Sequence, residues 1–420
     1  MKLPATFRAL EYRNFQLFFA GQLISLIGTW MQNVAQAWLV YRLTHSSALL
    51  GAVGFSSQIP VFLFSTLGGI VADRFERRNV VIVTQTASML LAFVLASLTL
   101  TGFVRIWHIF VLSTLLGLVN AFDIPARQSF IVEMVGKADL MNAIALNSSM
   151  FNASRVVGPA VAGVLVATIG EGWCFFANAI SYIAVIAGLL LMRIAEKRRP
   201  QPAGSPLANV AEGFRFVLSN PPVHALLIML GIMSLVALPF TVLMPIFADR
   251  VLHGGATALG WLMGWTGVGA LAGALLLATR TELKGLSVWL AAAATGLGCF
   301  LIGFASSHHM TLSSILLVGA GFCMMIQMGA TNTLIQSMVP DELRGRVMAV
   351  YSMMMMGMTP FGSLLAGAVA GRLGASLTVA IGGSICVAAA LTFWRLLPRI
   401  RPHARQLIFA QRAAHLEPQG

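Results

Sequence analysis

Few side chains in this sequence are equipped for chemistry, and those few stand where charge is costly. Arg155 lies inside an apolar stretch that runs from 140 to 170. An unpaired guanidinium there costs a few kcal/mol on insertion scales. It can attract an anionic ligand, such as a catecholate or carboxylate compound, or bond backbone carbonyls near Pro159. Its helical face also carries Ser148 and lies beside Asn152. Asp123 belongs to a second set. Ser113, Gly117, Asn120, Asp123 and Arg127 follow at steps of three and four, so they share one helical face. A carboxylate at the end of an apolar stretch can exchange a proton as a protein cycles, or form a structural pair with Arg77 or Arg127. No Asp or Glu lies in the middle of any apolar stretch, which weakens proton antiport as a reading.

A third set is polar without charge. Gln22, Ser25, Thr29, Gln32 and Gln36 recur at steps of three, four, three and four and share one face, with Asn33 at its edge. In lipid such a stripe is costly, so it faces protein or water. It lines an aqueous cavity or supplies hydrogen bonds between helices, at about 0.6 kcal/mol each. Asn152, Arg155, Asn120 and, in a later apolar stretch, Gln327 join the candidate cavity lining. The 22 methionines, Met353–Met356 among them, are either a soft lining or ordinary filling.

The elements that position these residues are membrane spans. The chain has 420 residues, 58% of them hydrophobic and 10% charged, with mean hydropathy +0.83. Soluble domains carry about 25% charged residues. That contrast excludes a soluble enzyme, a disordered chain and a secreted disulfide scaffold. Charge-free stretches of about 20 residues number twelve, once 285–340 is divided at Ser306–His309. The short run 106–122 is expected to continue as helix through the polar residues after it. The first stretch is too long for a cleavable signal. With the N-terminus cytoplasmic, 22 of the 27 Lys and Arg fall in inner segments and 4 in outer ones. This places both termini inside. The net charge of +13 is therefore read as topology, not as nucleic-acid binding. Cys174, Cys299, Cys323 and Cys386 share no metal or disulfide spacing, and no metal or cofactor is expected.

The chain also repeats itself. At an offset of 204, Gly117, Ala126, Ile131, Met134 and Gly158 meet Gly321, Ala330, Ile335, Met338 and Gly362. Six spans per repeat make the two halves parallel, related by a pseudo-twofold axis along the membrane normal. The expected organisation is a bundle of six helices over 1–192 and a basic, Pro-rich cytoplasmic linker over 193–215. A second six-helix bundle covers 216–397. The cytoplasmic tail, 398–420, either lies on the anionic inner leaflet or is disordered.

This all-α, twelve-helix arrangement resembles the major facilitator superfamily. Gly69-Ile70-Val71-Ala72-Asp73-Arg74-Phe75-Glu76-Arg77-Arg78 is similar to its loop signature, with Glu76 where a second glycine is usual. Gly158-Pro159-Ala160-Val161-Ala162-Gly163 resembles the Gly-Pro motif of its exporter branches. "NAFDIPARQSFI" and "NAIALNSSMFNASRVVGPAVAG" are similar to the bacterial subfamily of enterobactin exporters and macrolide pumps. The resemblance implies a gating cluster of Gly69, Asp73, Arg74, Arg77, Arg78 and Asp123. In it, Asp73 meets the start of span 11, near Arg344 and Arg346, or the arginines only set topology. Gly158, Pro159 and Gly163 form the exporter motif. The implied protein is a multi-pass monomer in the bacterial cytoplasmic (inner) membrane. It exports a siderophore-like or hydrophobic drug-like small molecule by alternating access, with protons as coupling ion. An importer or uniporter on the same fold is the alternative. No catalytic cluster suggests an enzyme.

Overall fold

The computed structural model describes residues 5–136, 138–193, 206–280 and 283–416, and no strand occurs among them. A 3-10 turn, Ala5–Glu11, precedes α1 (Arg13–Thr44), α2 (Ser47–Arg74), α3 (Arg77–Leu100), α4 (Ile106–Val135), α5 (Leu140–Ile169) and α6 (Glu171–Leu191). Then follow α7 (Pro206–Ser219), α8 (Pro221–Val236), α9 (Phe240–Ile246), a π-turn at Phe247–Val251, and α10 (Gly255–Ala278). The last are α11 (Leu286–Ala305), α12 (Met310–Met338), α13 (Asp341–Leu373) and α14 (Ala375–Leu416). Eleven stretches are long and apolar enough to cross a bilayer: α2 to α6, Pro221–Val251, and α10 to α14. Helix α1, at 32 residues, has the length, but its polar stripe lowers its hydropathy.

Most boundaries follow from where apolar runs stop. The break expected at Ser306–His309 separates α11 from α12, and α4 does run on past Phe122 to Val135. Two segments differ from expectation. The apolar stretch 216–248 is broken by a turn at 237–239, ending in Pro239. Proline lacks an N–H and disfavours helix in the residue before it. The described part of the tail, 398–416, is helical rather than disordered, because α14 continues through Pro398 and Pro402 to Leu416. Of the expected linker, 194–205 lies outside the described residues, and α7 begins at Pro206.

The chain divides into two compact units. One holds Met1–Pro202 with Met244–Gly267, the other Ala203–Leu243 with Val268–Gly420. In the first, α1 packs on α4, α5 and α6, α2 on α4, and α3 on α4 and α6. Phe15, Phe18, Phe130, Met134, Met150 and Leu189 form its core at one end. Near the opposite end Arg42 grips buried Glu171 with two bonds of 2.8 and 3.2 Å. Glu171 opens α6, where the helix dipole favours an acid. The 3-10 turn is held by Asn142 Oδ1, which accepts from Ala9 N at 2.8 Å, and by the Tyr12 hydroxyl, which donates to Asp139 at 2.7 Å. That bond raises the Tyr12 phenol above its ordinary pKa. In the second unit α11 packs on α12 and α14, while α13 packs on α7 and α8. Glu212 of α7 pairs with Arg346 of α13.

Candidate functional site

Asp123 is the most buried carboxylate among the described residues of the first unit, 2% exposed. Its Oδ1 accepts from Thr84 Oγ1 at 2.8 Å and Gln85 Nε2 at 2.9 Å, both on α3. Arg127 Nε lies 3.2 Å from Oδ2, one helical turn on. Asp123 thus takes Arg127 as its cation, not Arg77. Arg77 is occupied elsewhere, donating to the carbonyls of Ala72 and Ser129 and pairing with Glu133 at 3.1 Å. The four-residue step makes the Arg127 pair local, whereas Arg77 sits at the start of α3 beside the far end of α4. Burial of the carboxylate is tolerated because two neutral donors and one cation satisfy it. Gln85 Oε1 is buried with no partner among the described residues.

The polar stripe of α1 turns into the first unit. Gln22, Ser25 and Gln32 are buried, while Thr29 and Gln36 are partly so. Gln32 Oε1 accepts from Asn178 Nδ2 of α6 at 2.7 Å, and Gln36 Nε2 donates to Ser113 Oγ of α4 at 2.9 Å. These two residues therefore serve as ties between helices, because α1 is wrapped by α4, α5 and α6. Thr29 Oγ1 donates to the Ser25 carbonyl. Gln22 Oε1 has no partner among the described residues. Asn120 is half-buried on α4. In the second unit Gln327 is buried, and its Nε2 likewise has no partner among the described residues.

Arg155 lies in mid-α5, with its guanidinium 5.7 Å from the centre of the Trp30 ring. Phe151, one turn earlier, meets the same ring edge-on at 5.6 Å. Asn152 Nδ2 donates to the Ser148 carbonyl, which leaves its buried Oδ1 unpartnered among the described residues. A cation on an aromatic face beside a bare acceptor can hold an anion that also carries a hydrogen-bond donor. Gly158 lets α5 reach α1, since a Cβ there would stand 2.5 Å from Trp30 Cβ. Pro159 sits inside an unbroken α5. Gly163 faces Gly260 of α10 so closely that a Cβ on Gly260 would lie 2.5 Å from Gly163 Cα.

In the loop after α2, Phe75 and Glu76 are both extended, Glu76 at φ −61°. A glycine is not needed there, so Glu76 fits. Asp73 lies 3.4 Å from Arg77 and is largely exposed. Arg78 donates to the carbonyls of Leu189 and Leu190 at 2.8 and 2.9 Å, closing the end of α6. Arg77 and Arg78 thus fasten helix ends, a role topology alone does not require. A Cβ on Gly69 would meet nothing within 4 Å, whereas one on neighbouring Gly68 would lie 2.0 Å from the Ala121 carbonyl oxygen. Arg344 pairs with Asp341 inside the second unit.

Sequence reasoning missed a cluster near the end of α1. The buried Tyr41 hydroxyl donates to Asp249 Oδ2 at 2.9 Å and accepts from Arg250 Nε at 3.1 Å. Arg250 also reaches the His45 carbonyl, and His45 closes α1 in a left-handed conformation, φ 47°. The π-turn presents Asp249 and Arg250 as neighbours; in the sequence they read as a loop between two spans. Thr84, Gln85 and Asn178 were missed because they are uncharged polar residues inside charge-free runs that read simply as spans. Their only signal is helical spacing toward partners on other helices.

The profile of the transmembrane secretion effector family matches residues 4–412. The chain belongs to that family. It is a multi-pass membrane transporter of the major facilitator superfamily. Among its relatives, the staphyloferrin A transporter of Staphylococcus aureus is 26% identical, over 90% of this chain and 94% of that one. The multidrug efflux pump Tap of Mycolicibacterium fortuitum is 27% identical, over 84% and 88%. The enterobactin exporter EntS of Shigella boydii is 26% identical, over 87% and 86%. In fold the chain is similar to the nucleoside transporter NupG, with TM-score 0.71 at 14% identity, covering 91% of this chain and 99% of that one. It is also similar to a transporter of the POT family, with TM-score 0.72 at 11% identity, covering 92% and 96%. Among the described residues of this family member, the buried carboxylates of the first unit lie on α4 and at the start of α6.

Proposed function

We propose that this chain exports a small organic anion, siderophore-like or drug-like, by alternating access and in antiport with protons. The observation that supports an anionic cargo is Arg155, stacked on Trp30 in the middle of a spanning helix beside the bare Asn152 Oδ1. Relatives named for siderophores and for drugs support the cargo class. Counting α1, twelve spans form two six-helix bundles, 1–192 and 216–397, joined by the linker 193–215 and related by a pseudo-twofold axis. The excess of Lys and Arg in alternate loops favours cytoplasmic termini and the inner membrane. Asp123 is the group we assign to proton coupling. Asp123 and Glu171 are the buried carboxylates among the described residues, and Glu171 is committed to Arg42. The loop residues Gly69, Asp73, Arg74, Arg77 and Arg78 act as an inner latch. Tyr41, Asp249 and Arg250 act as an outer one. Gly158, Pro159 and Gly163 keep α5 smooth where it slides.

Everted membrane vesicles energised by a pH gradient, with radiolabelled enterobactin and a macrolide as probes, test the reading. Accumulation that a protonophore collapses is the expected result. Arg155→Gln is expected to lower it about tenfold, the size of one charge-assisted hydrogen bond. Uptake only in right-side-out vesicles would make the chain an importer. Transport indifferent to the gradient would make it a uniporter.

A further inference from the structure

The first unit carries a groove of about 460 Å³ that none of these roles uses. Its walls are Val71 and Phe75 at the end of α2, Val83 and Ala87 on α3, and Leu118 and Phe122 on α4. Two polar side chains border it, and both are engaged elsewhere. Thr84 gives its hydroxyl to Asp123, and Asn79 Nδ2 donates to Glu76 Oε2 at 2.6 Å. The walls therefore offer hydrocarbon only. A polar guest would leave its own groups unpaired there, at a cost of several kcal/mol in lipid. From Asn79 to Ala87 the groove follows α3 for about 12 Å. That is on the order of the hydrocarbon depth of a single leaflet, half of about 30 Å.

At the mouth the Glu76 carboxylate is taken by Asn79 and Asp73 lies beside Arg77, which leaves one cation without a partner among the described residues. Arg74 stands one turn after Val71, at the same end of α2, and is exposed. Arg77 and Arg78 are spent on Glu133 and on the carbonyls of α4 and α6. Arg74, by contrast, makes no hydrogen bond or ion pair among the described residues. Phe75 and Val83, at 62% and 67% exposed, leave the groove open along its side.

We propose that this groove holds an acyl chain of an anionic phospholipid whose headgroup phosphate pairs with Arg74. The bilayer supplies the ligand, the walls select hydrocarbon, and the free guanidinium selects negative charge. The consequence reaches the buried pair, because Thr84 has the groove on one side and Asp123 on the other. A seated chain covers that side and keeps water from the Asp123–Arg127 pair. The inference is independent of the direction of transport.

The test uses the full chain in nanodiscs of phosphatidylglycerol and phosphatidylcholine, with retained lipids counted by native mass spectrometry. The native chain is expected to keep phosphatidylglycerol in preference to phosphatidylcholine. Arg74→Gln is expected to cut that preference about fivefold, since one basic residue at the membrane surface is worth about 1 kcal/mol. Arg74→Lys keeps the charge and is expected to keep most of the preference. Val83→Trp fills the groove and is expected to lose the retained lipid, while Arg399→Gln, on α14, leaves it in place. Melting curves of each variant show that the fold persists. Equal retention of the two lipids by the native chain overturns the proposal. So does an undiminished preference in Arg74→Gln, or undiminished retention in Val83→Trp.

Discussion

Helix α4 of the first unit and α12 of the second begin 204 residues apart, at Ile106 and Met310, yet they carry opposite chemistry. Where α4 has Asp123 and Arg127, α12 has Gln327 and Thr331. The same offset turns Gln22, Gln32 and Gln36 of α1 into Leu226, Val236 and Phe240, and Arg155 of α5 into Thr359. The charged pair differs at both positions together. Removing only one partner would strand a buried charge, which costs far more than removing both. The comparison teaches that the first unit concentrates the chemistry, while the described residues of the second keep a neutral interior on similar helices.

The sharpest way to break this comparison is to split the pair. Arg127→Ala leaves Asp123 uncompensated and is expected to destabilise the protein by about 3 kcal/mol, read as a lowered midpoint of thermal unfolding in detergent. The double variant Asp123→Gln, Arg127→Thr copies the second unit. It is expected to regain most of that stability while losing gradient-driven transport. If the double variant melts as low as the single one, the pair does not act as a unit.

Backbone contact in the second unit gives the next largest effect. A Cβ on Gly362 would lie 2.2 Å from the Leu235 carbonyl oxygen. Gly362→Val is expected to cost about 1–3 kcal/mol by overpacking, whereas Gly69→Ala, in open space, is expected to change stability by less than about 0.5 kcal/mol. Equal melting of the two would refute the distinction between close-packed and open glycines. At the end of α1, Tyr41→Phe removes one bond to Asp249 and one from Arg250. The expected loss is about 1 kcal/mol, with a faster transport cycle if this tie must part in each turn.

The smallest effects separate two buried amides. Gln32→Leu loses the bond from Asn178 and is expected to cost about 0.6 kcal/mol. Gln327→Leu removes a donor without a partner and is expected to be neutral or stabilising. Denaturation of both variants by one protocol compares them directly, and a larger loss for Gln327→Leu would show that its amide holds something.

The apolar runs and their punctuation were enough to locate nearly every span, because a bilayer imposes a length and a polarity on each helix independently of its neighbours. The family followed from contiguous motifs, Gly69–Arg78 and Gly158–Gly163. The break at Pro239 was written in the sequence, but it was hidden inside an apolar run. The continuation of α14 past Pro398 and Pro402 was not legible, since a proline can end a helix or merely bend it.

What the sequence by itself determined was therefore the class: a helical, multi-pass transporter whose few charged spans deserve suspicion. Only the tertiary structure decided which partner each charge takes. Asp123 had two candidate cations and took the local one. The glutamines of α1 had water or neighbouring helices to choose between, and Gln32 and Gln36 bonded to α6 and α4. Tyr41 lies 208 positions from Asp249 and 209 from Arg250 in the chain and meets them only after folding. Spacing along a helix fixes which side chains share a face, but what that face meets depends on how the helices are arranged around it.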